Sequence, residues 1–230
     1  MMIDLLSRLR RNTAGVAMTE FALTFPFILG IGLMGAEVAN RVLVQMKVSQ
    51  LANLIADNAS RIGDQSMLED RRIYEGDIND LFYGAQLQGG NSIDLYTHGR
   101  VILSSLEVVP DTEDQQYINW QRCVGLKNHT SSYGVEGDGE LADDFPGMGP
   151  AGEEVIAFSG EAVMFVEISY DYQSLIGDPF TFDSGEIKAV ASYTVRADRD
   201  LTEIYQPATG DPDHIARCDA YEDISYVTGS

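Results

Sequence analysis

The strongest pattern along the chain is an apolar run near its beginning. Residues 16–39 contain only two charged side chains, Glu20 and Glu37, and residues 21–36 contain none. A helix of twenty-four residues rises about 36 Å, which is enough to cross a hydrocarbon core of about 30 Å. The pattern therefore predicts a membrane-spanning helix over 16–39.

Beyond residue 39 the apolar positions become sparser and recur at spacings near three to four among polar side chains. This spacing is typical of one face of an amphipathic helix, and Gly63 supplies a stop signal. We predict that the membrane helix continues over 40–62 and packs this face against the rest of the chain. The positions that form the face are Val42, Met46, Leu51, Ile55 and Ile62.

The C-terminal part, 63–230, has the signature of β-structure. Three segments rich in β-branched and aromatic residues predict strands, at 100–109, 153–173 and 186–197. Within 161–170 one parity of positions is apolar and the other is mixed, so this strand is expected near the centre of an antiparallel sheet. The fold class expected is α+β, with the amphipathic helix covering the sheet.

The segments between the strands are predicted to be irregular. Residues 111–116 have the composition of a turn, 133–154 of a long mobile loop, and the tail from Gln206 onward is expected to be irregular apart from Cys218. The long loop carries carboxylates that could bind Ca²⁺, but their spacing does not match an EF-hand, so a solvated loop is favoured. These carboxylates belong to Asp138, Glu140, Asp143 and Asp144.

Charge narrows the class of protein. Acidic residues outnumber basic residues 36 to 15, for a net charge of −21, which disfavours nucleic acid as a partner. Residues 1–15 run against this trend, with three arginines and one aspartate. A basic tip before an apolar helix predicts a cytoplasmic N-terminus and a domain on the other side of the membrane.

The chain has two cysteines, Cys123 and Cys218. In an oxidising compartment an even pair predicts one disulfide, and closing so long a loop would contribute about 4–5 kcal/mol in the chain-entropy model. Two buried free thiols are the alternative. The separation of the two residues excludes a CxxC redox or zinc motif.

The sequence gives little sign of catalysis. His98, His129 and His214 are the only histidines, and none lies in a recognisable catalytic or nucleotide-binding motif. His98 and His129 fall in polar stretches typical of surface loops. We therefore expect no enzymatic activity, no cofactor and no metal.

Glu20 needs a separate explanation, because a carboxylate beside the hydrocarbon usually has a partner or a function. The nearest basic residues, Arg10 and Arg11, lie too far back for a contact within one helical turn. Cleavage between Gly15 and Val16 would create an α-amino group four residues before Glu20. A cut at this bond would therefore supply the missing cation.

These residues resemble a known family. The basic leader, Gly15, Glu20 and the following apolar helix, read as "GVAMTEFALTFPFIL", resemble the class III signal of type IV pilins. They are most similar to the TadE/TadF-like minor pilins, or pseudopilins, of the tight-adherence (Flp, type IVc) pilus. The later phrase "VEISYDYQSLIG" is loosely similar to the extracytoplasmic domains of such proteins.

The resemblance implies a function and a location. Residues 1–15 would be the leader that a prepilin peptidase removes after Gly15, which makes Val16 the new N-terminus. Glu20 and Phe21 would be assembly determinants for contacts with other Tad pilus subunits and the assembly machinery. The protein would sit in bacterial inner-membrane lipid with a pilin-like periplasmic domain, and would support surface adhesion.

Two alternatives remain open from the residues alone. The first is an uncleaved signal anchor that holds a periplasmic binding domain, and the second, less favoured, is an anchored enzyme. An ordinary cleaved secretory signal fits poorly, because the available cleavage sites would place Met34 or Glu37 at the −3 position.

Overall fold

The computed structural model describes residues 14–63, 71–90, 93–141, 144–177, 185–195 and 199–228. The chain divides into two compact units. The first comprises Met1–Val42 with Ser174–Ser184, and the second comprises Leu43–Gln173 with Gly185–Ser230. Most of the leader, 1–13, lies outside the described residues, as do Asp143 and the last positions of the strand expected over 186–197.

The N-terminal apolar run forms a helix, α1, over Ala14–Ala59, with Pro26 inside it. Within the described residues it is the one helix that is long and apolar enough to cross a membrane. The prediction of a long apolar helix that continues into a second, more polar half is confirmed. The helix ends four residues before Gly63, whose φ of +124° suits a residue without a side chain.

Four antiparallel strands follow, in the spatial order β2-β1-β3-β4. They are β1 (Gly99–Val108), β2 (Gln116–Val124), β3 (Val163–Asp171) and β4 (Glu186–Thr194). The α+β class is confirmed, and β3 lies in the interior of the sheet as expected. The prediction of a single strand over 153–173 is wrong in its first half, because only the end of that segment joins the ladder. Strand β2 was not predicted.

One face of the sheet carries the main hydrophobic core. The second half of α1 buries a stripe from Val48 to Ala59 with the helical spacing of three to four residues, in the same cluster as Val101 and Leu103 of β1 and Met164 and Val166 of β3. The predicted stripe is therefore correct from Leu51 onward. Its first two members, Val42 and Met46, are exposed.

The opposite face of the sheet is also covered, which differs from the expectation of a mobile loop over 133–154. Tyr133, Phe145, Met148 and Val155 pack on Phe165 of β3 and its neighbours. Gly139 and Gly147 have positive φ, and a Cβ on either would lie within 2.3 Å of a main-chain oxygen. Glycine at position 139 therefore lets the acidic segment lie against β2, and glycine at position 147 lets the same segment lie against Val155.

A second long helix, α2, spans Glu75–Gly89 and was not predicted. Its first residue, Glu75, is buried and forms a two-pronged ion pair with Arg122 of β2, with Nη2–Oε1 at 2.6 Å and Nε–Oε2 at 3.0 Å. The pair fixes the start of α2 on the edge of the sheet. Two short helices complete the described chain, α3 (Leu95–His98) and α4 (Ser225–Thr228).

Candidate functional site

The residues predicted for processing and assembly lie on the first two turns of α1. The Gly15–Val16 bond is inside the helix, which begins at Ala14, and a Cβ on Gly15 would meet nothing within 4 Å. Val16 is 51% exposed, and Glu20 is exposed one turn further on. Val16 and Glu20 therefore lie on the same face of the helix, as the spacing predicts.

The Glu20 carboxylate has no hydrogen bond or ion pair within the described part of the chain, although polar groups around it are satisfied. Thr19 donates its hydroxyl to the Val16 oxygen at 2.8 Å, and Thr24 donates to the Glu20 main-chain oxygen at 2.9 Å. Such bonds to the preceding turn are how hydroxyls are accommodated in an apolar helix. Glu20 is thus a charged side chain on an apolar helix whose partner is not supplied by the described residues.

Phe21 follows Glu20 and stacks on Phe25, with ring centroids 5.2 Å apart. The apolar surface around it is continuous along the first half of α1. The helix positions left largely exposed include Met18, Leu23, Phe27, Ile28 and Ile31. Gly30, Gly32 and Gly35 would meet no atom within 4 Å if they carried a Cβ. This surface needs lipid or other helices to cover it, because contiguous apolar area of this size is unfavourable in water.

The two cysteines are joined. Cys123 of β2 and Cys218 of the tail form a disulfide with a Cα–Cα distance of 4.7 Å, so the prediction of one bridge is confirmed. Arg100 is fully buried and also connects the tail to the sheet. It donates hydrogen bonds to the main-chain oxygens of Gly125 and Cys218, at 2.8 and 2.9 Å. Its guanidinium also lies 4.4 Å from the centre of the Tyr221 ring, so the irregular tail is bound to the sheet.

His129 lies in the irregular segment that follows β2, in agreement with the prediction of a loop, but its side chain is only 12% exposed and is not solvated. Its Nε2 lies 2.9 Å from Oε1 of Glu167, a buried residue on the mixed face of β3. Ser131 donates its hydroxyl to the other oxygen of Glu167 at 3.0 Å, and the Ser132 amide donates to that oxygen at 2.9 Å. The serine hydroxyl is therefore bonded to the acid and not to the histidine, which is not the arrangement of an activated nucleophile.

Glu186 of β4 lies beside this group. Burial alone would raise its pKa, but hydrogen bonds from Lys127, Ser169 and Lys188 together with the charge of Lys127 outweigh burial and lower the pKa to about 2. Lys127 also pairs with Asp171 at 2.7 Å. The cluster joins a loop to β3 and β4 by charge-assisted hydrogen bonds, which gives it a structural role.

Two carboxylates of the acidic loop accept hydrogen bonds from main-chain amides. The Glu136 carboxylate accepts a hydrogen bond from the main-chain amide of Gln121 at 2.9 Å, and the Asp138 carboxylate accepts one from the main-chain amide of Val135 at 2.8 Å. Across the residues that the structure describes, no three histidine, cysteine or acidic side chains are grouped so that they could hold a metal ion.

A cavity of about 490 Å³ opens beside the disulfide and is lined in part by Arg122, His129 and Arg217. The two arginines already pair with carboxylates, Arg122 with Glu75 and Arg217 with Asp219. The cavity therefore presents no uncompensated positive charge to a ligand.

Comparison with protein-family models, with curated proteins and with solved structures finds no match to this chain. The fold and the exposed helix define a class: an α+β domain carried by one N-terminal helix with the length and hydropathy of a single membrane span. The structure also gives a role to a residue for which the sequence suggested none. Glu37, the second charge in the apolar run, is buried and hydrogen-bonded to a main-chain amide.

Proposed function

We propose that this protein is a minor pilin-like component of a tight-adherence pilus. A prepilin peptidase cuts it after Gly15, and the mature chain begins at Val16. It acts in the initiation, assembly or tip of the pilus and so supports adhesion to surfaces. The particular residues that carry the proposal are Gly15, Val16, Glu20 and Phe21.

The single observation that supports it most is the carboxylate of Glu20 on the exposed face of α1, which has no partner among the residues that the structure describes. The amine created at Val16 would lie one turn away and is largely protonated at neutral pH. At about 4 Å, opposite charges attract by about 4 kcal/mol at an effective dielectric constant of about 20, before the cost of desolvation. The amine of Val16 in a neighbouring subunit can make the same pair and would then set the register between helices.

Cleavage requires the first turn of α1 to open, because the Gly15–Val16 bond lies inside it. Glycine within a helix costs about 1 kcal/mol relative to alanine. Gly15 therefore makes this turn easier to unwind and gives a peptidase close access to the backbone.

The two halves of the protein then have different tasks. The exposed apolar half of α1 holds the protein in the inner membrane and packs against the helices of other pilus subunits, with Gly30, Gly32 and Gly35 allowing close approach. The disulfide-bonded domain lies in the periplasm, where the bridge is stable, and selects partners among the subunits and the assembly machinery.

N-terminal sequencing of the mature protein from membranes of a strain that encodes the pilus system tests the proposal. We expect the sequence VAMTEFAL, which begins at Val16. An intact residue-1 start in wild-type cells would contradict the proposal and would instead support an uncleaved anchor holding a periplasmic binding domain. A strain that lacks the prepilin peptidase is the matched control, in which the leader should remain.

A further inference from the structure

Glu37 and Leu175 join the membrane helix to the chain segment that follows β3. The Glu37 side chain, only 5% exposed, accepts a hydrogen bond from the main-chain amide of Leu175 at 3.1 Å. Leu175 follows β3 and belongs to the same compact unit as the first part of α1. The loop is therefore fixed to α1 at a known position along the helix.

That position is the far end of the membrane span. Twenty-one residues separate Val16 from Glu37, which corresponds to about 32 Å of helix, close to the hydrocarbon thickness of about 30 Å. If Val16 lies at one boundary of the bilayer, Glu37 lies at the headgroups of the other leaflet. The amide of Leu175 lies at the same depth as the Glu37 carboxylate that it contacts.

The loop presents apolar side chains at this depth. Ser174 accepts a hydrogen bond on its hydroxyl oxygen from the Gly177 amide at 2.8 Å, which closes a four-residue turn. Leu175 and Ile176 are the two central residues of this turn, and Leu175 is 66% exposed. An exposed leucine at the tip of a turn is unfavourable in water and favourable in the interfacial zone of a bilayer.

We propose that this turn, Ser174–Gly177, is a second membrane contact, which inserts Leu175 and Ile176 into the interface of the leaflet where α1 leaves the bilayer. The occupant of this surface is lipid, because the turn is bonded to a membrane helix at the level of the headgroups. No lysine or arginine occurs in 174–184, so insertion is driven by apolar transfer and does not need anionic lipid. The contact requires α1 to span the membrane but does not depend on cleavage after Gly15.

Fluorescence quenching of the full chain in vesicles of neutral phosphatidylcholine tests the contact. The variant Leu175→Cys is labelled with an environment-sensitive dye, and quenching by iodide in water is compared with quenching by a nitroxide attached to lipid near the headgroup. We expect blue-shifted emission, weak iodide quenching and several-fold stronger lipid quenching than at the control Leu141→Cys. Leu141 is a leucine of the acidic loop that is 96% exposed.

Each alternative outcome overturns the proposal in a recognisable way. Iodide quenching at position 175 equal to that at 141 would mean that the turn faces water. Protection from both quenchers would mean that protein covers it. A label at Ile28→Cys, within the span, is read with a second nitroxide placed deep in the lipid acyl chains. Loss of that quenching identifies failure of the span and separates it from the results at position 175.

The hydrogen bond to Glu37 is tested in the labelled Leu175→Cys protein. Glu37→Gln keeps an oxygen that can accept from the Leu175 amide, whereas Glu37→Leu removes it. We expect lipid quenching at position 175 to persist with glutamine and to fall several-fold with leucine. Equal quenching in the two variants would overturn the role of Glu37 in positioning the turn.

Discussion

Arg199 donates two hydrogen bonds from Nη2, one to the main-chain oxygen of Ala59, the last residue of α1, at 3.0 Å, and one to that of Ile62, three residues further on, at 2.8 Å. The last carbonyls of a helix lack partners within it, and a cation at this end also complements the helix dipole. Burial lowers the pKa of Arg199 to about 10, and the negative charge of Glu107 partly opposes this. The end of the long helix is therefore fastened to the domain by a side chain distant in sequence.

We expect Arg199→Met to lower the free energy of unfolding by about 3 kcal/mol, because the change removes the bonds to α1 and leaves the buried Glu107 without a nearby cation. Denaturant unfolding of the full chain in detergent measures it. Adding Glu107→Gln should recover part of the loss. Arg217→Met, at an exposed ion pair, should change stability by less than about 0.5 kcal/mol. Equal losses at positions 199 and 217 would contradict this role for Arg199.

Reduction of the Cys123–Cys218 bridge should lower the free energy of unfolding by about 2–5 kcal/mol, because the cross-link restricts the unfolded chain over a separation of 95 residues. Denaturant midpoints with and without reductant measure the change. A double variant, Cys123→Ala with Cys218→Ala, should have the lower midpoint under both conditions. The prediction would be contradicted if the wild-type midpoint were the same with and without reductant, once thiol titration had verified that the disulfide was reduced.

Acid should remove the stabilisation that Glu186 provides. Its pKa is lowered from 4.5 to about 2 in the folded protein, so the ionised form stabilises the fold above pH 4.5, and this contribution is lost as the pH falls from 4.5 towards 2. We therefore expect the stability difference between wild type and Glu186→Gln to shrink over this range. Unfolding measured from pH 7 down to pH 3 tests the trend.

Glu107 supplies a control of opposite sign. Burial raises its pKa above 4.5, although hydrogen bonds from Ser105 and Asn119 and the charge of Arg199 act against the rise. The wild type should therefore lose stability relative to Glu107→Gln as the pH rises above 4.5 and through the raised pKa of Glu107. Parallel trends for the Glu186 and Glu107 variants would refute this assignment.

Gly15→Val should block removal of the leader, because a β-branched side chain crowds the bond to be cut and stiffens the turn that must open. Accumulation of the uncut chain, seen by mass spectrometry of membrane extracts, measures the effect. The control is Thr24→Val, which alters only a hydroxyl bonded to the preceding turn and should be cut normally. Complete processing of the Gly15→Val chain would contradict the cleavage site.

Glu20→Ala should reduce pilus assembly, because it removes the charge that pairs with the new amine at Val16. Counting pili by electron microscopy, together with sequencing of the mature N-terminus, separates an assembly defect from a processing defect. Normal numbers of pili from this strain would mean that Glu20 has no docking role. Thr24→Val again serves as the matched control on the same helix.

The sequence was most informative where a pattern is local or nearly so. The apolar run of α1, the alternation in β3 and the pairing of the two cysteines were all predicted, and the structure bears them out. Strand β2 was missed because Asn119, Gln121 and Arg122 interrupt its apolar positions. These polar side chains form hydrogen bonds with groups distant in sequence, as Arg122 does with Glu75. The residues of the strand alone do not indicate such partners.

Helix α2 was missed although a signal existed. Ile78, Leu81, Phe82 and Ala85 recur at helical spacing and are buried in the core, so the periodicity alone could have identified the helix. The acidic loop is the opposite case. Its glycine and acidic residues predicted a loop exposed to solvent. In the structure a few apolar side chains, such as Phe145 and Met148, pack the loop against the sheet.

The sequence by itself determined the elements whose cause is hydropathy and spacing: the long helix, three of the four strands, and a Glu20 that lacks a nearby cation. Only the tertiary structure decided what each buried polar group contacts. In the folded chain Arg199 is hydrogen-bonded to the end of α1, Glu167 to His129, and Glu37 to the main-chain amide of Leu175. A buried charge is stable only beside specific partners, and those partners come from parts of the chain far away in sequence.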